Sequence, residues 1–240
     1  MSDINIEVAG GTSIRLLTAG KYCDKNIVIT ALGGGENTGR LPSGFTELTH
    51  IRCSGGQYFD SDYTPNNKTR IETRFTWAGG SNGYLYGAAD SNNAKAFTST
   101  LSASGGNWRF DGTLFQFKAV ANTLYTAIMD SSGVTINGTL NKYTGSVSAF
   151  TALNTLAVCG GKNANGSISS AYFVGDMDYY KIYEEDVLVR DYVPCENASG
   201  EIGFYELVNN VFKGNEGTGE FIGGEIVEPS EYPIWTGGYY

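Results

Sequence analysis

The feature that most constrains this chain is the way glycine interrupts short runs of alternating polar and apolar residues. The chain has 33 glycines in 240 residues, about twice the average usage. The clearest run is residues 69–77, in which Ile71, Thr73, Phe75 and Trp77 share one face of a strand. No segment shows the i, i+3, i+4, i+7 apolar stripe of a helix. The pattern therefore predicts an all-β protein built from short strands.

The segments between the alternating runs have the chemistry of tight turns. Asp111-Gly112 and Asn137-Gly138 are strong two-residue hairpin signals. Residues 130–133 predict another hairpin, and the acidic residues 184–186 predict a solvated hairpin tip. Strands at this spacing, over about 180 residues, predict a sandwich of two β-sheets.

Changes in composition divide the chain into four predicted segments. Residues 1–32 form a small β module, too small for much of a core, whose exposed strand edges favour docking on another surface. Residues 33–44 are a glycine-rich linker, and residues 45–224 are the sandwich. Residues 225–240 end in a cluster of aromatic side chains, for which docking on a surface, such as a neighbouring subunit, is favoured over disorder.

Charge and hydropathy argue against two classes of partner. The net charge is −9, with no run of lysine or arginine, so we expect no nucleic-acid binding. No apolar stretch approaches the roughly 18–20 residues of a membrane helix, so we expect no membrane insertion. No secretory signal is visible at the N-terminus, which favours synthesis in the cytoplasm.

Histidine and cysteine limit the possible chemistry. His50 is the single histidine, which excludes sites built on two or more histidines. It lies in an alternating run, and a structural or surface role is favoured over a catalytic triad. Cys23, Cys53, Cys159 and Cys195 form no CxxC pair. We expect them to be reduced and mostly buried, and their pairing cannot be deduced from the sequence.

Two parts of the predicted sandwich carry a specific resemblance. Residues 55–72 read GGQYFDSDYTPNNKTRIE, and residues 188–195 and 200–209 read LVRDYVPC and GEIGFYELVN. These segments resemble the opening and closing strands of laminin-G-like, concanavalin-A-like domains in bacteriophage and prophage virion proteins. Residues 17–29, LTAGKYCDKNIVI, are similar to a small module of phage tail and baseplate-associated proteins.

The resemblance implies a fold and a role. The implied fold is a concanavalin-A-like, laminin-G-like jelly-roll sandwich of two sheets with a small N-terminal β module. The implied role is that of a virion structural or adhesion protein, made in the bacterial cytoplasm, as a tail- or capsid-associated fibre or decoration. Its N-terminal module would bind other virion proteins, its sandwich would contact a host-surface or mucosal glycan, and the chain would form a homotrimer. The alternative is a purely structural capsid or fibre component without a ligand.

An enzyme that degrades polysaccharide is the less favoured reading. Asp176 and Asp178 would share one strand face, about 7 Å apart along the strand. Concanavalin-A-like glycoside hydrolases carry Glu-x-Asp-x-x-Glu on a similar strand, but here Lys181 stands where the general acid would be. We therefore expect no enzymatic activity and no catalytic residue, and a turn or a cation ligand is favoured for this pair.

Glycan binding is the sharper hypothesis, because sugar sites combine an aromatic platform with amide and carboxylate side chains. The candidate ligand-binding residues are Trp77, Asn82, Tyr84, Asp90, Asn92, Asn107 and Trp108. The alternative for Trp77 and Trp108 is that both are core residues of the sandwich. No cofactor is expected, and calcium is the one metal left open, because many laminin-G-like domains bind it where acidic loops meet.

Overall fold

The computed structural model describes residues 40–80, 82–90 and 95–228, which form strands, turns and irregular segments without a helix. The predicted all-β, two-sheet jelly-roll sandwich is confirmed for these residues. The predicted N-terminal module, residues 33–39 of the linker and the tail from residue 229 onward lie outside the described residues. Among those described, no helix has the length and apolar character needed to cross a membrane.

Seventeen strands occur in the described part of the chain. They are β1 (Phe45–Glu47), β2 (Ile51–Cys53), β3 (Phe59–Asp60), β4 (Thr69–Trp77), β5 (Gly83–Ala88), β6 (Phe97–Leu101), β7 (Gly106–Phe110), β8 (Thr113–Phe117), β9 (Thr123–Asp130), β10 (Gly133–Ile136), β11 (Thr139–Asn141), β12 (Ala157–Val158), β13 (Gly175–Glu184), β14 (Val187–Asn197), β15 (Ile202–Glu206), β16 (Val211–Lys213) and β17 (Ile222–Gly223).

The strands form one larger and one smaller sheet, and neighbouring strands pair antiparallel. The larger sheet has the order β11-β10-β9-β4-β13-β14-β15-β16, with β1 paired to β14, and β2 paired to both β13 and β17. The smaller sheet has the order β3-β12-β5-β6-β7-β8. Many of the paired strands in each sheet are consecutive in sequence, as the predicted hairpins require.

The hairpin predictions are confirmed. Asp111 and Gly112 separate β7 from β8, Asn137 and Gly138 separate β10 from β11, and residues 131–132 separate β9 from β10. Asn137 and Gly138 both have positive φ, 47° and 81°. This is the backbone of a primed two-residue turn, whose twist matches that of the flanking strands.

The core lies between the two sheets and is rich in aromatic rings. Every second residue of β4 points inward, as the alternation predicts, so Ile71 and Phe75 are wholly buried. The ring of Tyr86 in the smaller sheet packs edge-on against Trp108, with centroids 6.1 Å apart. It also contacts Tyr180 of the larger sheet at 5.4 Å. Such pairs stabilise the interface between the sheets beyond the area they bury.

A smaller apolar cluster covers the outer face of β14 and β15. Val193, Cys195 and Tyr205 form it together with Leu41, which is only 4% exposed. The packed part of the chain therefore begins at Leu41, before the first strand and within the segment predicted as a linker.

Both ends of the described chain meet at Glu47. The guanidinium of Arg40 forms an ion pair with the Glu47 carboxylate. From the other end, the backbone N–H of Val227 donates to the Glu47 carbonyl at 2.9 Å. The chain therefore enters and leaves the sandwich at one place on the larger sheet.

Candidate functional site

The structure places the two candidate tryptophans in the core. Trp77 lies on the inner face of β4 and is 2% exposed, and Trp108 on β7 is wholly buried. Neither indole ring presents a face to solvent, so neither can stack on a sugar in this structure. Both tryptophans are therefore core residues of the sandwich, which was the alternative to ligand binding. Trp77 is buried because it lies on the same face of β4 as Phe75.

Three other candidates lie in or beside loops that the structure describes only in part. Asn82 is exposed. Asp90 is half-buried, and its Oδ2 accepts a hydrogen bond from the backbone N–H of Lys95 at 3.3 Å. Because Asn92 lies outside the described residues, a common site of these three residues stays a prediction.

Tyr84 and Asn107 lie on the smaller sheet, on either side of β6. Tyr84 pairs with Thr100 of β6. The Thr100 hydroxyl accepts a hydrogen bond from the Asn107 backbone N–H at 2.8 Å and donates to its carbonyl at 3.2 Å. Both candidates are half-buried, and Tyr84 lies close to other half-buried tyrosines.

The ring of Tyr84 lies directly against glycine backbone. A Cβ atom added to Gly161 would be 2.5 Å from the Cγ of Tyr84, and one added to Gly87 would be 2.9 Å from its Cδ1. Gly87 follows the buried Tyr86 on β5, so it belongs to the outer face of the sheet. Glycine is required at both positions because any side chain would displace the ring.

Two further tyrosines lie against Gly160, the residue before Gly161. A Cβ on Gly160 would be 3.0 Å from the Cβ of Tyr58 and 3.7 Å from the Cδ1 of Tyr172. Tyr172 also forms a parallel bridge with Tyr84. We call these three half-buried side chains, Tyr58, Tyr84 and Tyr172 over Gly160 and Gly161, the tyrosine platform.

The polar ends of the platform are open to solvent. Among the described residues, no protein group is hydrogen-bonded to the three phenol hydroxyls, and none of these hydroxyls is a buried polar atom without a partner. Burial, followed by the nearby carboxylate of Glu216, raises the pKa of Tyr58 above its ordinary value. That hydroxyl therefore keeps its proton at neutral pH and can donate to a ligand.

A charged group adjoins the platform. Lys162 follows Gly161 and forms an ion pair with the carboxylate of Asp60, which also accepts a hydrogen bond from the Thr155 hydroxyl at 2.8 Å. Burial acts to raise the pKa of Asp60, but the hydrogen bonds from Lys162, the Asp62 backbone and Thr155 outweigh it and hold the pKa below its ordinary value. The site thus offers aromatic faces beside a fixed carboxylate and ammonium.

The residues predicted from the sequence do not include Tyr58, Tyr172 or the charged pair. The residues of the platform are far apart in the chain and meet only because β3, β12 and β5 are neighbours in the smaller sheet. The one local signal is the doubled glycine at 160–161, which begins two residues after the end of the buried strand β12. Two adjacent residues without side chains leave room for rings that come from elsewhere.

The carboxylate pair on β13 is engaged by arginine. Asp176 accepts two hydrogen bonds from Arg52, at 2.6 and 2.9 Å, and lies 3.9 Å from Nε2 of His50. Asp178 lies at a register shift between β13 and β4, 3.1 Å from Nε of Arg74. Burial raises the pKa of Asp178, and the charges of Arg74 and His50 oppose that shift.

The acidic turn after β13 is also neutralised by cations. Glu185 forms an ion pair with Lys68, and Asp186 lies 3.4 Å from Nε of Arg70. Among the residues that the structure describes, no three histidine, cysteine, aspartate or glutamate side chains are grouped so as to hold a metal ion.

The chain resembles known proteins in its fold. No protein-family model matches the chain, and no curated protein matches it either. The chain is similar to a solved structure, the native heptameric SAP-like pentraxin from Limulus polyphemus, at 11% identity and a TM-score of 0.41. The likeness covers 60% of this chain and 78% of that one.

Proposed function

We propose that the sandwich is a carbohydrate-binding domain that acts through the tyrosine platform. The observation that carries the proposal is the set of three half-buried tyrosine rings over Gly160 and Gly161, whose hydroxyls are open to solvent. Such a surface presents apolar ring faces next to hydroxyls that can form hydrogen bonds with a ligand.

The chemistry of the platform suits a sugar ring. One face of a pyranose carries C–H groups, which pack against an aromatic ring, while its hydroxyls lie around the edge. Tyr58, Tyr84 and Tyr172 offer such faces together with hydroxyls. Asp60 and Lys162, held in a fixed pair beside them, offer an acceptor and donors for the sugar hydroxyls. A small number of placed polar groups next to aromatic surface is typical of specific ligand sites.

We propose that this domain binds without catalysis. The two carboxylates that resemble a glycosidase pair are each engaged by an arginine, Asp176 by Arg52 and Asp178 by Arg74. This arrangement supports a structural role for the pair on β13.

Binding is tested with the full chain on an array of bacterial-surface polysaccharides and mucin glycans, followed by calorimetric titration of the best ligand. We expect Tyr84→Ala and Tyr172→Ala each to weaken binding by about tenfold or more, since truncating an aromatic anchor costs 1–2 kcal/mol or more. The matched control is Tyr179→Ala, a half-buried tyrosine on the larger sheet. The proposal fails if no glycan binds, or if all three variants bind as the wild type does.

We further propose that the domain is displayed on a bacteriophage particle as a homotrimer. The support is the sequence resemblance of residues 55–72, 188–209 and 17–29. Gold labelling of this chain on purified particles would show whether it is part of the head, the tail or neither. Light scattering should give three times the chain mass of 25.7 kDa, and a monomer would contradict the trimer.

A further inference from the structure

Two cysteine thiols from opposite sheets meet in the core. Cys53 ends β2 of the larger sheet, and Cys159 directly follows β12 of the smaller one. Both are free and wholly buried, and both belong to the main core cluster. Burial, followed by the neighbouring Cys159 thiol, raises the pKa of the Cys53 thiol. Neither thiol has a part in the proposed binding site.

Backbone pairing holds the two cysteines together at a crossing between the sheets. The N–H of Phe173 donates to the carbonyl of Cys159 at 3.1 Å. Two residues further on, Gly175 pairs with Cys53 at the start of β13. The same short segment therefore contacts both cysteines as the chain passes from one sheet to the other.

The backbone of Cys159 is strained for a residue with a side chain. Its φ is 62°, in the left-handed region, which costs a residue other than glycine about 1–2 kcal/mol. The next two residues, Gly160 and Gly161, are glycines, and a glycine would adopt the same conformation at Cys159 without that cost. A cysteine at this position instead brings a thiol to Cys53.

We propose that Cys53 and Cys159 form a disulfide bond between the two sheets when the protein meets a disulfide oxidant such as oxidised glutathione. Two S–H bonds break and one S–S bond forms, and the two electrons and two protons pass to the oxidant, which leaves as two thiols. The reaction proceeds through a mixed disulfide with one cysteine, which the second thiol displaces. In a reducing cytoplasm the pair stays as the dithiol seen here, and the bond forms after release into an oxidising medium.

The bond would link residues that are far apart in the chain. A cross-link between positions 53 and 159 closes a loop of roughly 100 residues, and loops of that length give large stabilisation in the chain-entropy model. Because both thiols are buried, oxidation of the folded protein needs local opening, and we expect it to be slow. Oxidation during refolding, when the thiols are exposed, should be fast.

The experiment uses the full chain, reduced and then either kept folded or refolded from urea in a buffer of oxidised and reduced glutathione. Peptide mapping under non-reducing conditions identifies the cross-link, and a thermal melt measures its effect. We expect a Cys53–Cys159 peptide after refolding, with Tm raised by about 10 °C over the reduced protein. Cys195→Ser, which changes a buried cysteine in the separate outer cluster, should keep both results.

Cys53→Ser and Cys159→Ser should each lose the cross-link and the rise in Tm. If either variant fails to fold, the peptide map of the wild-type chain alone shows whether the Cys53–Cys159 bond forms, because that map needs no substitution. The proposal is overturned if both thiols are still alkylated after oxidative refolding, or if they cross-link only to Cys23 or Cys195. A Cys53–Cys159 bond that leaves Tm unchanged would overturn the stabilising role.

Discussion

At the scale of single residues, Gly161 determines whether the ring of Tyr84 can lie against the sheet. In Gly161→Ala the new methyl group would overlap the ring at 2.5 Å from Cγ, so the ring must swing away into solvent. We expect glycan affinity to fall by about tenfold, as for loss of the ring itself. Titration of the ligand identified on the array measures this, with the thermal melt as a check on folding.

Tyr84→Phe is the matched control for that substitution. It keeps the ring on Gly161 and removes only the hydroxyl, so it should bind more tightly than Gly161→Ala. If Gly161→Ala binds as well as the wild type while remaining folded, the ring of Tyr84 does not take part in binding.

Asp60 should contribute stability that depends on pH. Its pKa in the folded protein lies below its ordinary value of 3.8 because Lys162 and its other donors outweigh burial. That contribution is therefore present above about pH 4 and is lost as pH falls through the folded pKa. Asp60→Asn should lower the free energy of unfolding by about 2 kcal/mol at pH 7, the scale of a hydrogen-bonded charge. The difference from wild type should shrink by pH 3.

Urea unfolding at pH 7 and pH 3 measures both values. The control is Glu185→Gln, which breaks an ion pair whose two side chains are more than half exposed, and which should leave the unfolding midpoint unchanged. An Asp60→Asn variant that loses the same stability at both pH values would show that the charge of Asp60 is not what stabilises this part of the smaller sheet.

At the scale of elements, the turn between β13 and β14 holds two residues in a backbone conformation that is unfavourable for side chains other than glycine and asparagine. Glu185 and Asp186 have φ of 49° and 63°, the geometry in which Asn-Gly is favoured. The double substitution Glu185→Asn with Asp186→Gly should therefore raise stability by about 1 kcal/mol. The exposed ion pairs that it removes contribute little. A thermal melt should show Tm higher by about 3 °C.

The turn between β10 and β11 provides the reverse experiment. It already has Asn137 and Gly138, and no atom lies within 4 Å of a Cβ placed on Gly138. Gly138→Ala should therefore lower Tm through backbone strain alone. If Asn-Gly after β13 raises Tm and Gly138→Ala lowers it by a similar amount, the left-handed backbone geometry of the turns determines their stability. A fall in Tm on introducing Asn-Gly after β13 would contradict this.

The hairpins could be predicted from the sequence, and the platform could not. Alternation along β4 and turn residues such as Asp111-Gly112 act over a few positions, so local sequence determines them. Tyr58, Tyr84 and Tyr172 become neighbours only through the order of strands in the smaller sheet, which depends on pairings across 70 residues or more. The alternation along β4 predicts that Trp77 is buried together with Phe75, although its indole was also a candidate for ligand binding.

At the scale of the whole molecule, residues 40–228 should fold without the segments on either side. They contain both sheets, the core between them and the outer cluster that Leu41 completes. We expect a fragment of these residues to unfold in one cooperative transition, within a few degrees of the corresponding transition in the full chain. Circular dichroism and a thermal melt measure this, and a fragment that is unfolded or aggregated would contradict it.

A second fragment tests where the sandwich begins. Residues 45–228 lack Leu41, which is buried against Val193 and Tyr205, and this fragment should be less stable than 40–228 by about 2 kcal/mol. The sequence placed the boundary at residue 45 because glycine and polar residues precede it. One apolar residue at the end of a linker gives no periodic pattern, so its burial could not be predicted.

Because both ends of the described part of the chain meet at Glu47, the resistance of the sandwich to force should depend on the direction of pulling. A pull between residue 40 and residue 228 acts on β1 and on the bridge between Leu48 and Ile226, where hydrogen bonds break one after another at low force. A pull between either end and the tyrosine platform crosses from the larger sheet to the smaller one and loads the aromatic core. We expect the domain to unfold at low force when it is stretched end to end. We expect it to withstand a higher force when it is held at its ends and pulled through a ligand bound to the smaller sheet.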